Sequence, residues 1–468
     1  VTAVAPERRR VGLVPQEGAL RVATLAEIAG LNEAELMQQR WVSIWEKDDS
    51  LSASTRKAKG RLVILGFQHP DLTRLATAAP TVSRLGKHVC YSIMALHELT
   101  LEAADASSAF LQTAECLEKD NLFIRPTAEV AWALGLPPRP EMTVAKVLKS
   151  FYGITNAPRF FWLDVSTKFR VLGWHRCSWD RCVWVCWYLD GDHRHANTDG
   201  YRIIGIAAVH VDDFLVAGDM KCKAWRDMRF KIVEMYRWGR WAEGTTVFAG
   251  IRVVQGRDFG IDLDMQEYVE DNVTSMVIAK ERRDNPGAAA TKSELSEFRG
   301  CAGTLQWCVT QLFLQFAVDV SIIMSSVCDL TVANLIDLNH VVRDVRAASK
   351  QRLHFFPFPG VSLKEVSTVQ YTDASPSNRP RGFSTGGLLT LLVGPSFRKG
   401  LEAPANVLAW RSFKLPRKVA GSNGGESQTL SFAEEAQWLV RLAWAEVHGT
   451  QLIRHQLHEA VRQISGAL

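Results

Sequence analysis

Two adjacent carboxylates lie within an apolar segment whose pattern is typical of a β-hairpin. Asp212 and Asp213 separate the apolar residues 206–209 from a second apolar stretch, residues 214–217. Like charges in apolar surroundings lose hydration and raise each other's proton affinity, so the pair needs a positive group beside it. Two Mg²⁺ ions about 3.5–4 Å apart, held by carboxylates, are a common device for phosphoryl transfer. The hairpin therefore predicts a metal site, although the tripeptide 211–213 taken alone is better explained by a strand end whose acids point to water.

A third carboxylate, Asp105, follows an apolar stretch and precedes a short helical or turn segment. We expect it to face Asp212 and Asp213. Between the two acidic segments, Gly153 marks a turn and Pro158 stands at a helix start, with aromatic residues after it. An acid in a strand, a helix opened by glycine and proline, and an Asp-Asp hairpin follow one another in the palm of a reverse transcriptase.

The same three segments resemble the copia-type retrotransposon reverse transcriptase. Residues 105–111 resemble the family motif D-V-x-x-A-F-L, and residues 149–162 resemble K-S-L-Y-G-L-x-Q-A-P-R-x-W. Residues 210–219 resemble Y-V-D-D-I-L-L-x-G-D, with His210 in place of the tyrosine. Because these three motifs occur in the same order as in the family, the resemblance is not explained by chance.

Four further segments extend the resemblance. Residues 59–67 resemble K-A-R-L-V-x-K-G-F, and residues 79–84 are similar to S-P-V-x-x-x-x-R. Residues 248–253 resemble F-L-G-I-x-I, and residues 298–307 resemble Y-R-x-x-V-G-S-L-x-Y. The resemblance thus runs from about residue 57 almost to the end of the sequence. Because we find no integrase or protease pattern, we expect the chain to be one fragment of a larger polyprotein.

The resemblance implies an α+β fold, a right-hand polymerase with fingers, palm and thumb whose palm carries the acidic β-hairpin. An incomplete ribonuclease H-like α/β domain would follow it. The implied domains are a lead-in of unknown function over residues 1–56, fingers and palm over 57–255, thumb or connection over 256–360, and a partial ribonuclease H-like domain over 361–468. Within the lead-in, the sequence pattern predicts a helix over about residues 25–45.

The resemblance also implies a metal-dependent polymerase site. Asp105, Asp212 and Asp213 would be the catalytic residues and would hold two Mg²⁺ ions, with Mn²⁺ as a substitute. The implied activity is RNA-directed DNA polymerisation, with an RNA template, a DNA primer, the RNA–DNA hybrid and deoxynucleoside triphosphates as partners.

Five residues would contact the substrates if the resemblance holds. Lys59 and Arg61 would meet the incoming triphosphate, because a guanidinium pairs bidentately with phosphate oxygens. Phe110 would lie beneath the sugar and block a ribose 2′-hydroxyl, and Tyr152 and Gly153 would lie under the templating base pair. Without the resemblance, Arg61 is an ordinary surface cation and Phe110 an ordinary core residue.

Two acids in the last part of the chain resemble ribonuclease H ligands. Asp373 ends a strand like the first strand of that domain, and Glu426 opens a helix that matches S-S-x-x-A-E-x-x-A-L. Taken singly, they read as a turn residue and as an acid favoured by the helix dipole. Because the family's further catalytic Asp is missing from this sequence, we expect no cleavage of RNA in a hybrid, unless Glu434 or Glu435 completes the site.

Composition is compatible with this function but does not require it. The 468 residues are 47% hydrophobic, enough for two or three domains with sizeable cores. A net charge of +5, from 55 basic and 50 acidic residues, permits nucleic-acid binding. The longest apolar runs are too short to cross a bilayer and the N-terminus has no signal-peptide pattern, so we expect a soluble, intracellular protein without a membrane partner.

Cysteine and histidine usage gives two local predictions. Nine scattered cysteines argue for reduced thiols rather than a disulfide scaffold. Cys177, Cys182 and Cys186 follow His175 with spacings that loosely resemble a zinc site, but they lack C-x-x-C pairs, so core cysteines are the better reading. The polar loop of residues 190–200 is expected to leave its two histidines in solvent.

Two other classes of function remain open. The chain is alternatively a decayed or domesticated element that binds nucleic acid without polymerising, or a nuclease whose polymerase half is a scaffold. The intact Asp105, Asp212 and Asp213 argue against simple decay.

Overall fold

The computed structural model describes residues 18–47, 56–113, 122–136, 143–362 and 365–449. Its strands are β1 (Leu20–Val22), β2 (Met37–Lys47), β3 (Arg56–Ile64), β4 (Thr100–Ala106), β5 (Phe123–Arg125), β6 (Ala145–Val147), β7 (His175–Arg176), β8 (Val183–Leu189), β9 (Tyr201–His210), β10 (Asp213–Gly218), β11 (Trp238–Glu243), β12 (Thr245–Phe248), β13 (Ile251–Gln255), β14 (Ile261–Asp264), β15 (Leu353–Phe355), β16 (Ser367–Arg379), β17 (Phe383–Val393) and β18 (Ala405–Lys414). Its helices are α1 (Leu25–Ala29), α2 (Arg84–Leu96), α3 (Ala128–Ala133), α4 (Ala157–Val171), α5 (Lys223–Glu234), α6 (Gln266–Asn272), α7 (Lys280–Arg283), α8 (Lys292–Gln311), α9 (Ala317–Ser325), α10 (Val332–Ala347), α11 (Pro395–Arg398) and α12 (Ser422–Val447). Helices and sheets are mixed along the chain, as predicted.

The first compact unit comprises Val1–Thr81, Asp105–Gly173 and Lys231–Gly239. It contains a five-stranded sheet in the order β1-β6-β5-β2-β3. Helix α4 begins in this unit with Asn156 as N-cap and Pro158 in its first turn, where a missing backbone N–H costs nothing. The helix start predicted from glycine and proline is therefore confirmed.

The helix predicted over residues 25–45 is wrong for most of its length. Within this range only α1, Leu25–Ala29, is an α-helix, and a capping box between Thr24 and Glu27 stabilises its N-terminus. Strand β2 follows instead and pairs with β3 from Gln39 to Lys47. Strand β2 contains Trp41, Val42, Ile44 and Trp45, aromatic and β-branched residues that favour a strand once a partner strand is present.

The second compact unit comprises Val82–Ala104, Trp174–Phe230 and Arg240–Leu468. The six-stranded sheet has the order β11-β4-β10-β9-β8-β7, and β9 is buried from Arg202 to Val209. A near-continuous apolar run is expected of a strand covered on both faces. A second sheet, β12-β13-β14-β15, and the helices α8, α9 and α10 follow along the chain.

The last sheet of this unit, β16-β17-β18, is antiparallel throughout. Helix α12 packs on it through a core cluster of Leu388, Phe413, Leu415 and Ala433. The predicted strand before Asp373 and the predicted helix that carries Glu426 are confirmed as elements, but β16 continues past Asp373 to Arg379 instead of ending there.

Two local predictions about histidine and cysteine have different outcomes. Cys177, Cys182 and Cys186 are buried, as expected of core cysteines. His195, expected in solvent, is only 1% exposed and its ring lies 4.6 Å from that of His97, so that prediction is wrong. A polar loop sequence does not reveal that neighbouring elements cover it. Within the described ranges, no helix combines the length and the apolar character that crossing a membrane requires.

Candidate active site

The acidic hairpin turns through two residues. Strands β9 and β10 pair antiparallel, and His210 opposite Asp213 is the last pair before the turn. Of the two turn residues, Val211 has a φ of 60°. Hairpin turns with a positive φ at this position usually place glycine there. A β-branched residue in this region costs on the order of 1–3 kcal/mol, so the surrounding sheet must hold the turn in place.

Asp105 lies on β4, which is the neighbour of β10 in the six-stranded sheet. Its side chain is exposed, whereas Ala104 and Ala106 on either side are buried. One carboxylate oxygen each from Asp105, Asp212 and Asp213 lies within 4.8 Å of the other two. Strand order therefore brings together the three acids that the sequence predicted to face one another.

The chemistry of these donors fits a divalent cation. Three carboxylates so close together repel one another unless a positive charge lies between them. Carboxylate oxygens are the hard ligands that Mg²⁺ prefers, and the exposure of Asp105 leaves space for water or phosphate oxygens as further ligands. Among the described residues, this is the only group of three candidate metal ligands at such distances.

An ion pair on β4 fixes the strand three residues before Asp105. Glu102 is 1% exposed and accepts hydrogen bonds from Arg229 Nε at 2.7 Å and from Trp241 Nε1 at 2.9 Å. Arg229 belongs to α5 and Trp241 to β11, so the buried carboxylate connects β4 to a helix and to a neighbouring strand. A buried charge that is paired and hydrogen-bonded in this way orders the elements around it.

Gly239 on β11 leaves room for the Asp105 carboxylate. A Cβ atom at this position would lie 3.1 Å from Asp105 Oδ2 and 3.7 Å from the Asp105 carbonyl oxygen. Strand β11 flanks β4 on the side opposite β10. Gly239 was not among the site residues predicted from the sequence. A glycine inside a strand, which often marks a close approach, is the signal by which it could have been found.

Phe110 lies in a cluster of aromatic rings after β4. It is 9% exposed, and its ring centroid lies 4.9 Å from that of Tyr152 and 6.2 Å from that of Phe161. The exposed Arg61 on β3 places its guanidinium carbon 5.9 Å from the centre of the Tyr152 ring. Three of the predicted substrate-contacting residues are therefore close to one another.

The remaining two predicted substrate-contacting residues lie on or beside β3. Lys59 stands opposite Ile44 in the β2–β3 pairing. Gly153 has a φ of 90°, and a Cβ atom there would lie 2.0 Å from the carbonyl oxygen of Ile64. The Ile64 N–H also donates to the Tyr152 carbonyl oxygen at 2.8 Å. Position 153 therefore requires glycine because its backbone packs against Ile64 at the end of β3, whether or not nucleic acid is bound.

His210 is half-buried at the start of the hairpin turn. Burial lowers its pKa and nearby Lys87 lowers it further, while Asp212 acts in the opposite direction. Its Nδ1 atom is buried and has no hydrogen-bond partner within the described part of the chain. We therefore expect a neutral imidazole beside the acids at neutral pH.

Glu426 contacts the backbone of β16 beside Asp373, but the two acidic side chains lie on opposite faces of the strand. The Glu426 carboxylate accepts a hydrogen bond from the Ala374 N–H at 3.2 Å. Ala374 faces α12, because a Cβ atom on Gly425 would lie 3.2 Å from the Ala374 Cβ. Side chains alternate along a strand, so Asp373 lies on the face directed away from the helix that carries Glu426. Glu434 and Glu435 are exposed farther along α12.

Sequence comparison gives two relatives. The chain is 24% identical over 433 residues to the retrovirus-related Pol polyprotein from transposon RE2 of Arabidopsis thaliana, covering 86% of this chain and 26% of the relative. It is 23% identical over 430 residues to the corresponding polyprotein from transposon RE1, with the same two coverages. The resemblance to a copia-type retrotransposon Pol polyprotein is confirmed. The chain thus spans about a quarter of the length of these Pol polyproteins, and no family model matches it.

Two solved structures found by structural comparison both have low TM-scores. The foamy viral protease-reverse transcriptase dRH in complex with double-stranded DNA has a TM-score of 0.47 and 14% identity, with 95% of this chain and 62% of that chain covered. The foamy viral protease-reverse transcriptase in complex with RNA/DNA hybrid has a TM-score of 0.44 and 11% identity, with 100% and 54% covered.

Proposed function

We propose that this chain is the RNA-directed DNA polymerase part of a copia-type retrotransposon Pol polyprotein. It extends a DNA primer on an RNA or DNA template by two-metal nucleotidyl transfer. The observation that carries the proposal is the close approach of the Asp105, Asp212 and Asp213 carboxylates. The match to Pol polyproteins over 86% of the chain supports it.

In this proposal the sheets correspond to the parts of a right-hand polymerase. The five-stranded sheet belongs to the fingers and the six-stranded sheet is the palm. Residues 256–360 form the thumb or connection, and the β16-β17-β18 sheet with α12 is ribonuclease H-like. Because Asp373 and Glu426 lie on different sides of β16, polymerisation alone is the proposed activity.

The three acids would hold two Mg²⁺ ions. When bound, these ions lower the pKa of the primer 3′-hydroxyl and neutralise charge on the triphosphate. Asp105 and Asp212 would hold the ions, and Asp213 would add negative charge and could serve as a further ligand. The hairpin turn would position Asp212, and Gly239 leaves the space in which Asp105 lies.

The substrate would lie along the cluster of Arg61, Tyr152 and Phe110. Arg61, with Lys59 nearby in β3, would pair with phosphate oxygens of the deoxynucleoside triphosphate. The Phe110 ring would meet a 2′-oxygen on the incoming sugar, and Tyr152 with Gly153 would support the templating pair. The RNA–DNA hybrid is the expected product complex.

Primer extension tests the proposal. We expect the purified chain to extend a labelled DNA primer on RNA and DNA templates with Mg²⁺ and to stop when the metal is chelated. Asp212→Asn should reduce the rate on the order of hundredfold or more, because loss of one ligand charge weakens metal binding and transition-state stabilisation together. Asp192→Asn, an exposed acid on the β8–β9 loop, is the matched control and should extend normally.

Template binding separates the remaining alternatives. Fluorescence anisotropy should show that Asp212→Asn still binds the primer–template. Near wild-type extension by both Asp105→Asn and Asp212→Asn would exclude the polymerase assignment. Binding by the wild-type chain without any extension would instead favour a domesticated nucleic-acid-binding protein.

A further inference from the structure

Two cations on α2 have only neutral hydrogen-bond partners. Arg84 donates to the carbonyl oxygens of Thr310 and Trp410, and its guanidinium carbon lies 4.3 Å from the centre of the Trp410 ring. Lys87, which is 4% exposed, donates to Gln311 Oε1 at 2.6 Å. Neither cation has an ion pair with an acid in the described part of the chain. Basic side chains withdrawn from water are usually paired, so this charge is uncompensated.

The charged groups that influence these two cations are themselves positive. Burial and, as the second cause, the neighbouring Arg84 lower the pKa of Lys87 to about 8. Burial also lowers the pKa of Arg84 to about 10, with Arg411 as the second cause. A bound anion would supply the attraction that is missing here.

Arg84 opens into a cavity of about 500 Å³. We call it the Arg84 cavity; its polar and charged lining includes Arg84, Gln306, Gln311, Ser321, Arg411 and Ser412. No acid is among its lining residues in the described chain. Arg411 also lines this cavity and is exposed, so one of its two cations is in contact with solvent.

A second cavity of about 500 Å³ adjoins the first, because Trp410, Arg411 and Ser412 line both. We call it the Tyr371 cavity. The Tyr371 side chain is 51% exposed and lies in the same cross-strand row as Leu389 and Trp410. Asp373 also lines this cavity, so an anion is favoured at the arginine end and disfavoured at the Asp373 end.

We propose that the Arg84 cavity binds a backbone phosphate of a polynucleotide strand, and that the adjacent base stacks on Tyr371. A cationic pocket beside an exposed aromatic ring is the arrangement by which proteins hold single strands without reading their sequence. The identity of the ligand rests on the proposed polymerase function, which requires the chain to bind nucleic acid. The cavity itself is separate from the three acids and would hold the strand away from the point of synthesis.

Salt-dependent binding of the whole chain to a labelled single-stranded DNA oligonucleotide, without Mg²⁺ or nucleotides, tests the proposal. The log of the affinity falls as the log of the salt concentration rises. Arg411→Ala should make this slope less steep by about 0.7, the contribution of one phosphate contact on a single strand. Arg411→Lys should restore it. Arg257→Ala, an exposed arginine on the β13–β14 turn that lines neither cavity, should leave it unchanged.

Tyr371→Leu should weaken binding roughly fivefold or more without changing the slope, and Tyr371→Phe should bind like the wild type. An unchanged slope in a folded Arg411→Ala variant overturns the proposal. A second result would also overturn the proposal. If Arg411 is needed for inorganic phosphate or polyglutamate to bind but not for the oligonucleotide to bind, the site takes a free anion or an acidic peptide. A chain that fails to extend primers but shows the expected slope change refutes the polymerase function alone.

Discussion

At the scale of single residues, Phe110 is held by two other rings. Tyr152 covers one side and Phe161 meets it edge-on, so little of the Phe110 side chain reaches solvent. A ring fixed in this way makes a hard steric boundary, because closely packed side chains yield little. The same packing means that a core function alone would also place a phenylalanine here.

Substitution of Phe110 distinguishes the two explanations. Phe110→Val should raise the ratio of ribonucleotide to deoxyribonucleotide incorporation, because the shorter side chain no longer meets the 2′-oxygen while the metal ligands stay intact. Single-nucleotide incorporation assays measure this ratio. Phe161→Leu, which alters the same aromatic cluster, is the control and should leave the ratio unchanged. An active Phe110→Val variant with a wild-type ratio would make Phe110 a core residue only.

At the scale of elements, the position of Asp105 depends on both neighbours of β4. Strand β10 brings the hairpin acids, and β11 brings Gly239 against the Asp105 carboxylate. The buried Glu102 fixes β4 to α5 and β11 through Arg229 and Trp241. Strand order and this ion pair together decide the geometry of the acids.

Gly239→Ala should therefore act on metal binding rather than on folding. The new methyl group meets Asp105 Oδ2 at 3.1 Å, which is too close, so the carboxylate must rotate or move away. We expect a several-fold higher Mg²⁺ concentration for half-maximal extension, with a near wild-type melting temperature. Gly300→Ala, in α8 with nothing within 4 Å of its new Cβ atom, is the control. An unchanged Mg²⁺ requirement in Gly239→Ala would show that Asp105 adjusts without cost.

At the scale of the whole molecule, two histidines at helix ends are buried against each other. His97 follows α2 and His448 follows α12, and their Nε2 atoms are 3.1 Å apart. His448 Nδ1 donates to the Trp444 carbonyl oxygen at 2.7 Å, so the proton of the neutral His448 ring is on Nδ1. Burial lowers the pKa of His448 to about 4 and that of His97 well below its usual range.

This arrangement predicts that stability falls in mild acid. The folded chain binds fewer protons than the unfolded chain between the unfolded pKa of about 6.5 and the folded values. The contribution of His448 is therefore fully present above pH 6.5 and is lost as the pH falls toward about 4, and that of His97 is lost in the same direction. His448 alone should account for about 2 kcal/mol of the free energy of unfolding lost by pH 5.

Urea unfolding at a series of pH values measures this dependence. His448→Leu should reduce the loss between pH 7 and pH 5, because one proton-binding difference is removed. His340→Gln, an exposed histidine of α10, should keep the wild-type profile. A wild-type profile in His448→Leu would mean that the buried histidines do not control the acid response.

Features that depend on near neighbours along the chain could be predicted from local patterns. Two continuous apolar runs on either side of Asp212 and Asp213 predicted a hairpin, because a strand covered on both faces needs apolar residues at nearly every position. Pro158 specified the start of α4, because its fixed φ and missing N–H suit the first helical turn. The family motifs marked Asp105 as the third acid.

Which distant residues meet could not be predicted in this way, because it depends on strand order and on packing between elements. The order of strands in the six-stranded sheet put Asp105 beside the hairpin and Gly239 beside Asp105, and pairing with β3 made β2 a strand where a helix was predicted. The same kind of long-range packing buried His195 and left Arg84 with neutral partners. The physical reason is that burial, charge compensation and close approach depend on what other elements contribute, and a local pattern carries no record of those neighbours.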